Sequence, residues 1–222
     1  GKPMPEFPPT HEQQTILDAV KTTKANLMIR ARAGCGKTTM LELIDAAEKT
    51  QPYLLMCFNK AIATEAEKRM RSATTVRTFN SLGHKIWAAA VDRRLTLAKT
   101  KIRDIFKGIV DEASRSDRSQ LWSMYDSVLN ATSIARNIGY IPPKHVKSHK
   151  SLCDFRAVER LLDETLLPEA EALIDKILIL SIAQAYEGVI DFTDQVYMPA
   201  LFGGTYPSFP VVLVDEYQDL SP

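Results

Sequence analysis

Two segments at opposite ends of the 222-residue chain hold the residue types that phosphate chemistry needs. The first is Gly34-Cys35-Gly36-Lys37-Thr38, which follows the apolar run Leu27–Ala31. Behind it, Lys37 to Lys49 carries Met40, Leu41, Leu43 and Ile44 at helical spacing. Strand, glycine turn, helix is the order that makes a phosphate cradle. Glycines let backbone N–H groups turn inward toward phosphate oxygens with no Cβ in the way. A helix starting near Lys37 aims the positive end of its dipole at the same place. Ala33, Gly34, Cys35, Gly36 and Thr39 line the cradle, Lys37 reaches the β- and γ-phosphates, and Thr38 offers its hydroxyl to Mg²⁺. The general pattern opens on glycine, and here that position is Ala31. A chance Gly-Lys-Thr turn is the plain alternative, and the strand before and helix after it argue against chance.

The second segment is Val211-Val212-Leu213-Val214-Asp215-Glu216. A nucleoside triphosphate needs a carboxylate to hold its metal and, for hydrolysis, a group to activate water. Asp215 suits the first task and Glu216 the second. Alone, an Asp-Glu pair is as readily an exposed strand end; with a phosphate loop it points to ATP hydrolysis.

These residues need a scaffold. Tyr53–Phe58 and Thr74–Thr78 are further short apolar or β-branched runs, and the stretch Asn59 to Met70 between them is rich in Ala, Glu and Lys. Short apolar runs separated by helical stretches predict an α/β domain with a parallel sheet covered on both faces by helices. Between Trp87 and about Lys176 the strand pattern stops, and the chain reads as helical and mostly polar, broken at Gly139 and Pro142-Pro143. The division expected is 1–90 for the first part of the sheet domain, 91–177 for a helical insertion, and 178–222 for the second part.

Composition fits a globular protein: 45% hydrophobic and 25% charged residues, with a net charge of +1. That total hides an asymmetry. From Asp92 to Lys150 there are 12 Lys/Arg against 6 Asp/Glu, a local excess of +6, so the remainder carries −5. A basic helical segment suits a polyanion, or is simply a solvated surface. The three cysteines, Cys35, Cys57 and Cys153, form no CxxC pair and read as reduced thiols. No membrane span or signal peptide is visible, so a cytoplasmic or nucleoid location is expected, or a nuclear one in a eukaryote. His145, His149 and Cys153 are four apart; a helix would align them, and a packed or solvated helix face is favoured over zinc. Glu159, Asp163, Glu164, Glu169 and Glu171 read as a solvated acidic helix surface, and His84 as a helix-surface residue that could also approach DNA.

With these motifs in order, the chain resembles superfamily 1 DNA helicases of the UvrD/Rep type. Pro9-Thr10-His11-Glu12-Gln13-Gln14 resembles that family's adenine-reading segment, which implies Gln13 as the adenine contact. Ala31 to Thr38 resembles its phosphate loop, including the Ala at the first position. Cys57-Phe58-Asn59-Lys60-Ala61 resembles a Thr-Phe-Thr-Asn-Lys-Ala segment with one residue fewer, and Thr78-Phe79-Asn80-Ser81-Leu82 a Thr-Phe-His segment with Asn80 in place of His. Ile190-Asp191-Phe192-Thr193-Asp194 resembles the Asp-Phe segment before the last strand, and Asp215-Glu216-Tyr217-Gln218-Asp219 the Asp-Glu-x-Gln-Asp box. The resemblance implies a RecA-like P-loop domain with an inserted helical subdomain, ATP with Mg²⁺, and movement along single-stranded DNA. It also implies that Gln218 and Asp219 couple the nucleotide site to DNA, and that Phe58, Asn59, Lys60, Thr78, Phe79 and Asn80 contact the strand. Ordinary core packing is the competing reading of both phenylalanines.

A second RecA-like half, which the family needs to complete the ATP site, is not among these residues. The expectation is a C-terminal partner half elsewhere and weak hydrolysis by this portion alone. Two other functions compete. A different P-loop enzyme, such as a nucleotide kinase or GTPase, lacks support because no Asn-Lys-x-Asp guanine reader is present. A nucleotide-binding scaffold that docks a repair partner is disfavoured by the retained Lys37, Thr38, Asp215 and Glu216.

Overall fold

The computed structural model describes residues 11–23, 27–31, 53–57, 63–64, 67–68, 74–146, 149–206 and 211–215. The chain divides into two compact units, residues 1–83 with 205–222, and residues 84–204.

The first unit is built on strands β1 (Leu27–Ala31), β2 (Tyr53–Cys57), β3 (Thr74–Thr78) and β6 (Val211–Asp215). They form one sheet in the order β1-β6-β2-β3, and every pairing is parallel. Parallel neighbours cannot be joined by a tight turn, so each connection must leave the sheet and return. The last strand in sequence enters between β1 and β2, so its position depends on strands laid down far earlier. Leu55, Met56 and Cys57 in β2 and Val76 in β3 are buried, as the apolar runs predict. Helix α1 (His11–Thr23) buries Ile16 and Glu12.

The second unit is helical: α3 (Lys101–Glu112), α4 (Arg115–Ser123), α5 (Tyr125–Asn137), α6 (Pro143–Val146), α7 (Phe155–Leu162), α8 (Pro168–Tyr186) and α9 (Asp194–Phe202). Helix α2 (Phe79–Val91) crosses the division between the units. Two-residue strands β4 (Thr96–Leu97) and β5 (Val189–Ile190) pair in parallel; elements this short leave no alternation to read in the sequence.

The helices have clear local causes. On α5, Val128, Ala131, Thr132, Ala135 and Arg136 are buried, the spacing of one helical face. That helix ends in a left-handed Gly139 (φ 79°), with Gly139 N–H donating to Arg136 O and Tyr140 N–H to Ala135 O. These two bonds make a Schellman cap, and glycine fits it because a Cβ there would meet Leu152 at 2.5 Å. Pro168 opens α8, where its missing N–H costs nothing. Asp154 caps α7 by accepting from Ala157 N–H at 3.1 Å.

Two expectations change here. The stretch expected to be mostly polar encloses a core of its own, with Phe106, Val128, Ala131, Ala135, Val158, Ile174, Ile177 and Leu178 fully buried. The buried positions are spread over four helices, and outside α8 each helix shows only one apolar stripe among polar residues. The units also divide differently from the expected boundaries at 90 and 177. Residue 177 lies inside α8, and α8, β5 and α9 pack with the helices before them. A second cluster joins Trp87, Ile182, Ala185, Ile190, Tyr197 and Met198, with Trp87 Nε1–H donating to Ala185 O at 2.9 Å.

Candidate functional site

The strand register fixes one row of residues at the C-terminal edge of the sheet. Ala31 pairs with Asp215, Asp215 with Cys57, and Cys57 with Thr78. Neighbouring strands lie about 4.8 Å apart, so Ala31 and Asp215 are adjacent in backbone. Each residue in the row ends its strand and begins a motif. The Gly-Lys-Thr segment follows Ala31, Glu216 follows Asp215, Phe58-Asn59-Lys60 follow Cys57, and Phe79-Asn80 follow Thr78. Ligands of open parallel sheets bind beyond this carboxyl edge. Residues 33–39, 58–60, 216 and 218 themselves lie outside the described residues, as does Cys35.

Among the described candidates, Gln13 sits half-buried in the first turn of α1. Thr78 is the N-cap of α2. Its Oγ1 accepts from Ser81 N–H at 3.0 Å, and Thr78 N–H donates to Ser81 Oγ at 3.1 Å. That is a reciprocal capping box with serine in the usual acidic position. The first duty of the Thr78 hydroxyl is therefore to start the helix that carries Asn80. Phe79 departs from the expectation. It is 1% exposed, so its ring offers no face to a base and belongs to the core. Asn80 is half-buried.

A family model of the UvrD/REP helicase N-terminal domain matches residues 11–222. The chain belongs to the UvrD/REP helicase N-terminal domain family. Membership implies a RecA-like α/β fold, an ATP-dependent helicase domain, and the binding of ATP and DNA. No solved structure matches the chain.

The helical unit of this UvrD/REP domain holds a cluster that sequence reasoning did not foresee. Arg136 on α5 grips Asp191 with two bonds, Nη1–Oδ1 at 2.7 Å and Nη2–Oδ2 at 2.8 Å, and reaches Asp194 Oδ1 at 3.2 Å. Lys101, the first residue of α3, donates to Asp194 Oδ2 at 2.7 Å and to Ser181 O at 2.7 Å. Asp191 and Asp194 also cross-cap each other's backbone, Asp191 N–H to Asp194 Oδ2 and Asp194 N–H to Asp191 Oδ1. All four side chains are buried or nearly so, and two cations meet two anions, so the cluster is neutral. Burial pushes Asp191 up, but Arg136 outweighs it and holds the carboxyl below the usual range. Burial lowers Lys101 and raises Asp194, and the charge of each opposes the shift of the other. Two of the 12 cations counted in the basic segment are therefore structural and unavailable to a polyanion. The usable signal was the Asp-x-x-Asp spacing of Asp191 and Asp194, which suits a self-capping turn.

Other expectations resolve locally. Glu159 is no solvated acid: it is buried, accepts from Leu166 N–H at 2.8 Å and pairs with Arg156. His149 N–H donates to His145 O at 3.0 Å, and both rings pack against Phe202, as a packed face would have them. No group that could hold a metal occurs among the described residues. Cys153 donates weakly to Ile138 O, and burial raises its thiol. His84 bonds Gln195 through Nδ1 at 2.9 Å. Among the described residues, no helix is long and apolar enough to cross a membrane.

Proposed function

We propose that this chain is the ATP-binding motor portion of a helicase that acts on single-stranded DNA. The observation that carries the reading is the row Ala31–Asp215–Cys57–Thr78, which gathers the starts of four motif segments on one sheet edge. In this reading Lys37 holds the β- and γ-phosphates, with backbone N–H groups of residues 33–39 around them. Thr38 and Asp215 supply hard oxygen donors for Mg²⁺, which suits that ion's preference, and the adjacency of β1 and β6 supports the pairing. Bound Mg²⁺ would neutralise charge on the terminal phosphates. Glu216 orients the attacking water, Gln13 reads adenine, and Gln218 with Asp219 relays the nucleotide state to the strand.

On the DNA side, Phe58 supplies a stacking face while Asn59, Lys60, Thr78 and Asn80 hold the backbone. Phe79 supports them from the core. Arginines from a second RecA-like half would complete the ATP site. The test is equilibrium binding of a fluorescent ATP analogue with Mg²⁺, which needs no turnover. Lys37→Ala should lower affinity by at least about tenfold, as expected when a charge-assisted phosphate contact worth 1.5–3 kcal/mol is lost, with the melting temperature unchanged. Equal binding by wild type and Lys37→Ala, or preference for GTP over ATP, would reject the reading.

A further inference from the structure

Residues 163–167 join α7 to α8, and hydrogen bonds hold this connection along its length. Asp163 is left-handed (φ 55°), and the N–H groups of Asp163 and Glu164 donate to Arg160 O at 3.3 Å and Glu159 O at 3.2 Å, closing the end of α7. Leu166 N–H donates to the buried Glu159 carboxylate at 2.8 Å, and Pro168 starts α8. The stretch contains two leucine pairs, and each pair is split. Leu162 packs against the helical core and Leu166 is buried, whereas Leu161 is 62% and Leu167 64% exposed. These two are the most exposed aliphatic side chains among the described residues.

The same connection borders an open groove of about 480 Å³, lined by Arg156, Glu159, Arg160, Asp163, Glu164 and Thr165. Arg156 pairs with Glu159 and, at 2.6 Å, with Glu171. Arg160 is the second cation, and Asp163 and Glu164 stand exposed. Two cations thus meet four carboxylates, and the groove is negative overall. A nucleic acid or an acidic peptide is repelled by that charge. Water solvates the carboxylates but gains nothing from the leucines. An apolar edge beside a negative groove complements a segment that is apolar on one side and basic on the other. Holding the connection in place beforehand lowers the ordering cost of such a contact.

We propose that the α7–α8 connection is a docking surface for a basic, amphipathic segment of a partner protein. Apolar residues of that segment cover Leu161 and Leu167, and its Lys or Arg side chains meet Asp163 and Glu164. The surface lies wholly in the 84–204 unit and is separate from the contacts proposed for the sheet edge. It requires neither nucleotide nor DNA, so it stands or falls apart from the proposed function.

The test is fluorescence anisotropy of the full chain with a labelled synthetic helix of Lys and Leu, apolar along one face. A counterpart with Glu in place of every Lys is the second probe. The Lys peptide should bind and the Glu peptide should not. Leu161→Gln/Leu167→Gln should weaken the Lys peptide about tenfold and leave its salt dependence unchanged, because only apolar cover is removed. Asp163→Asn/Glu164→Gln should weaken it about threefold and flatten the salt dependence, as loss of exposed ion pairs does. Asparagine tolerates the left-handed conformation, so the end of α7 is kept. Melting curves check folding, which changes at four exposed side chains should not disturb. Equal affinity of wild type and the leucine variant for the Lys peptide, or equal binding of the Glu peptide, would overturn the surface. Sedimentation of the chain alone separates the occupants. Wild-type dimers that the leucine variant abolishes would give this face to a second copy of the chain and overturn the proposal.

Discussion

In the sheet unit, Asp215 ends a strand beside the strand that precedes the Gly34–Thr38 sequence; in the helical unit, Asp191 and Asp194 flank the start of α9 and are locked by Arg136 and Lys101. The same residue type does different work because its surroundings differ. Asp215 belongs to an edge where the starts of motif segments lie side by side. Asp191 and Asp194 have their hydrogen-bonding capacity filled by two cations and two backbone N–H groups. Adjacency of motif starts indicates ligand chemistry, whereas a filled, neutral, buried cluster indicates architecture.

That contrast can be broken most forcefully in the helical unit. Arg136→Met leaves two buried carboxylates facing one lysine, and a stability loss of about 3–5 kcal/mol is expected from urea unfolding. A loss below about 1 kcal/mol would mean the cluster is hydrated and the contrast with Asp215 is weaker than drawn. Phe79 supplies the next test. Phe79→Ala should cost about 3–5 kcal/mol as a core truncation. Phe79→Leu should keep oligo-dT affinity, whereas a tenfold fall with normal folding would return this ring to the DNA surface. Smaller again is the α2 cap: Thr78→Ala should cost about 1 kcal/mol and Thr78→Ser little, read from thermal melts.

The mildest test concerns Tyr206 in the sheet unit, whose hydroxyl burial pushes up from the ordinary 10.0 to about 12. A folded-state value above the unfolded one means the folded chain holds that proton more tightly. The associated stability is complete below pH 10 and is lost as the pH rises through about 12. Ultraviolet titration should show a tyrosine step near that pH, and Tyr206→Phe should remove it. In the helical unit, Tyr140 is shifted in the same direction by burial and by its bond to Asp175, so it should ionise later still.

Much of the sheet was legible in the residue order. The apolar runs at 27–31, 53–57, 74–78 and 211–215 became the four strands of one parallel sheet, because continuous apolar runs suit strands covered on both faces. Gly139 ended a helix where its missing Cβ was needed. Less legible were the roles of single side chains. Phe79 could be a DNA contact or a core residue, and composition cannot tell a buried ring from an exposed one. Glu159 sits among acids that look solvated, yet it closes the loop to Leu166.

By itself, the sequence determined the local matters: which segments form strands, where a glycine-rich sequence follows one of them, and which family the motif order resembles. These depend on neighbours within a few residues. Only the tertiary structure decided that β6 enters between β1 and β2, that Lys101 and Arg136 are spent on Asp194 and Asp191, and that Phe192 stays outside. The physical reason is range. Pairing partners 55 and 93 residues apart are chosen by packing of whole elements, and no local pattern encodes that choice.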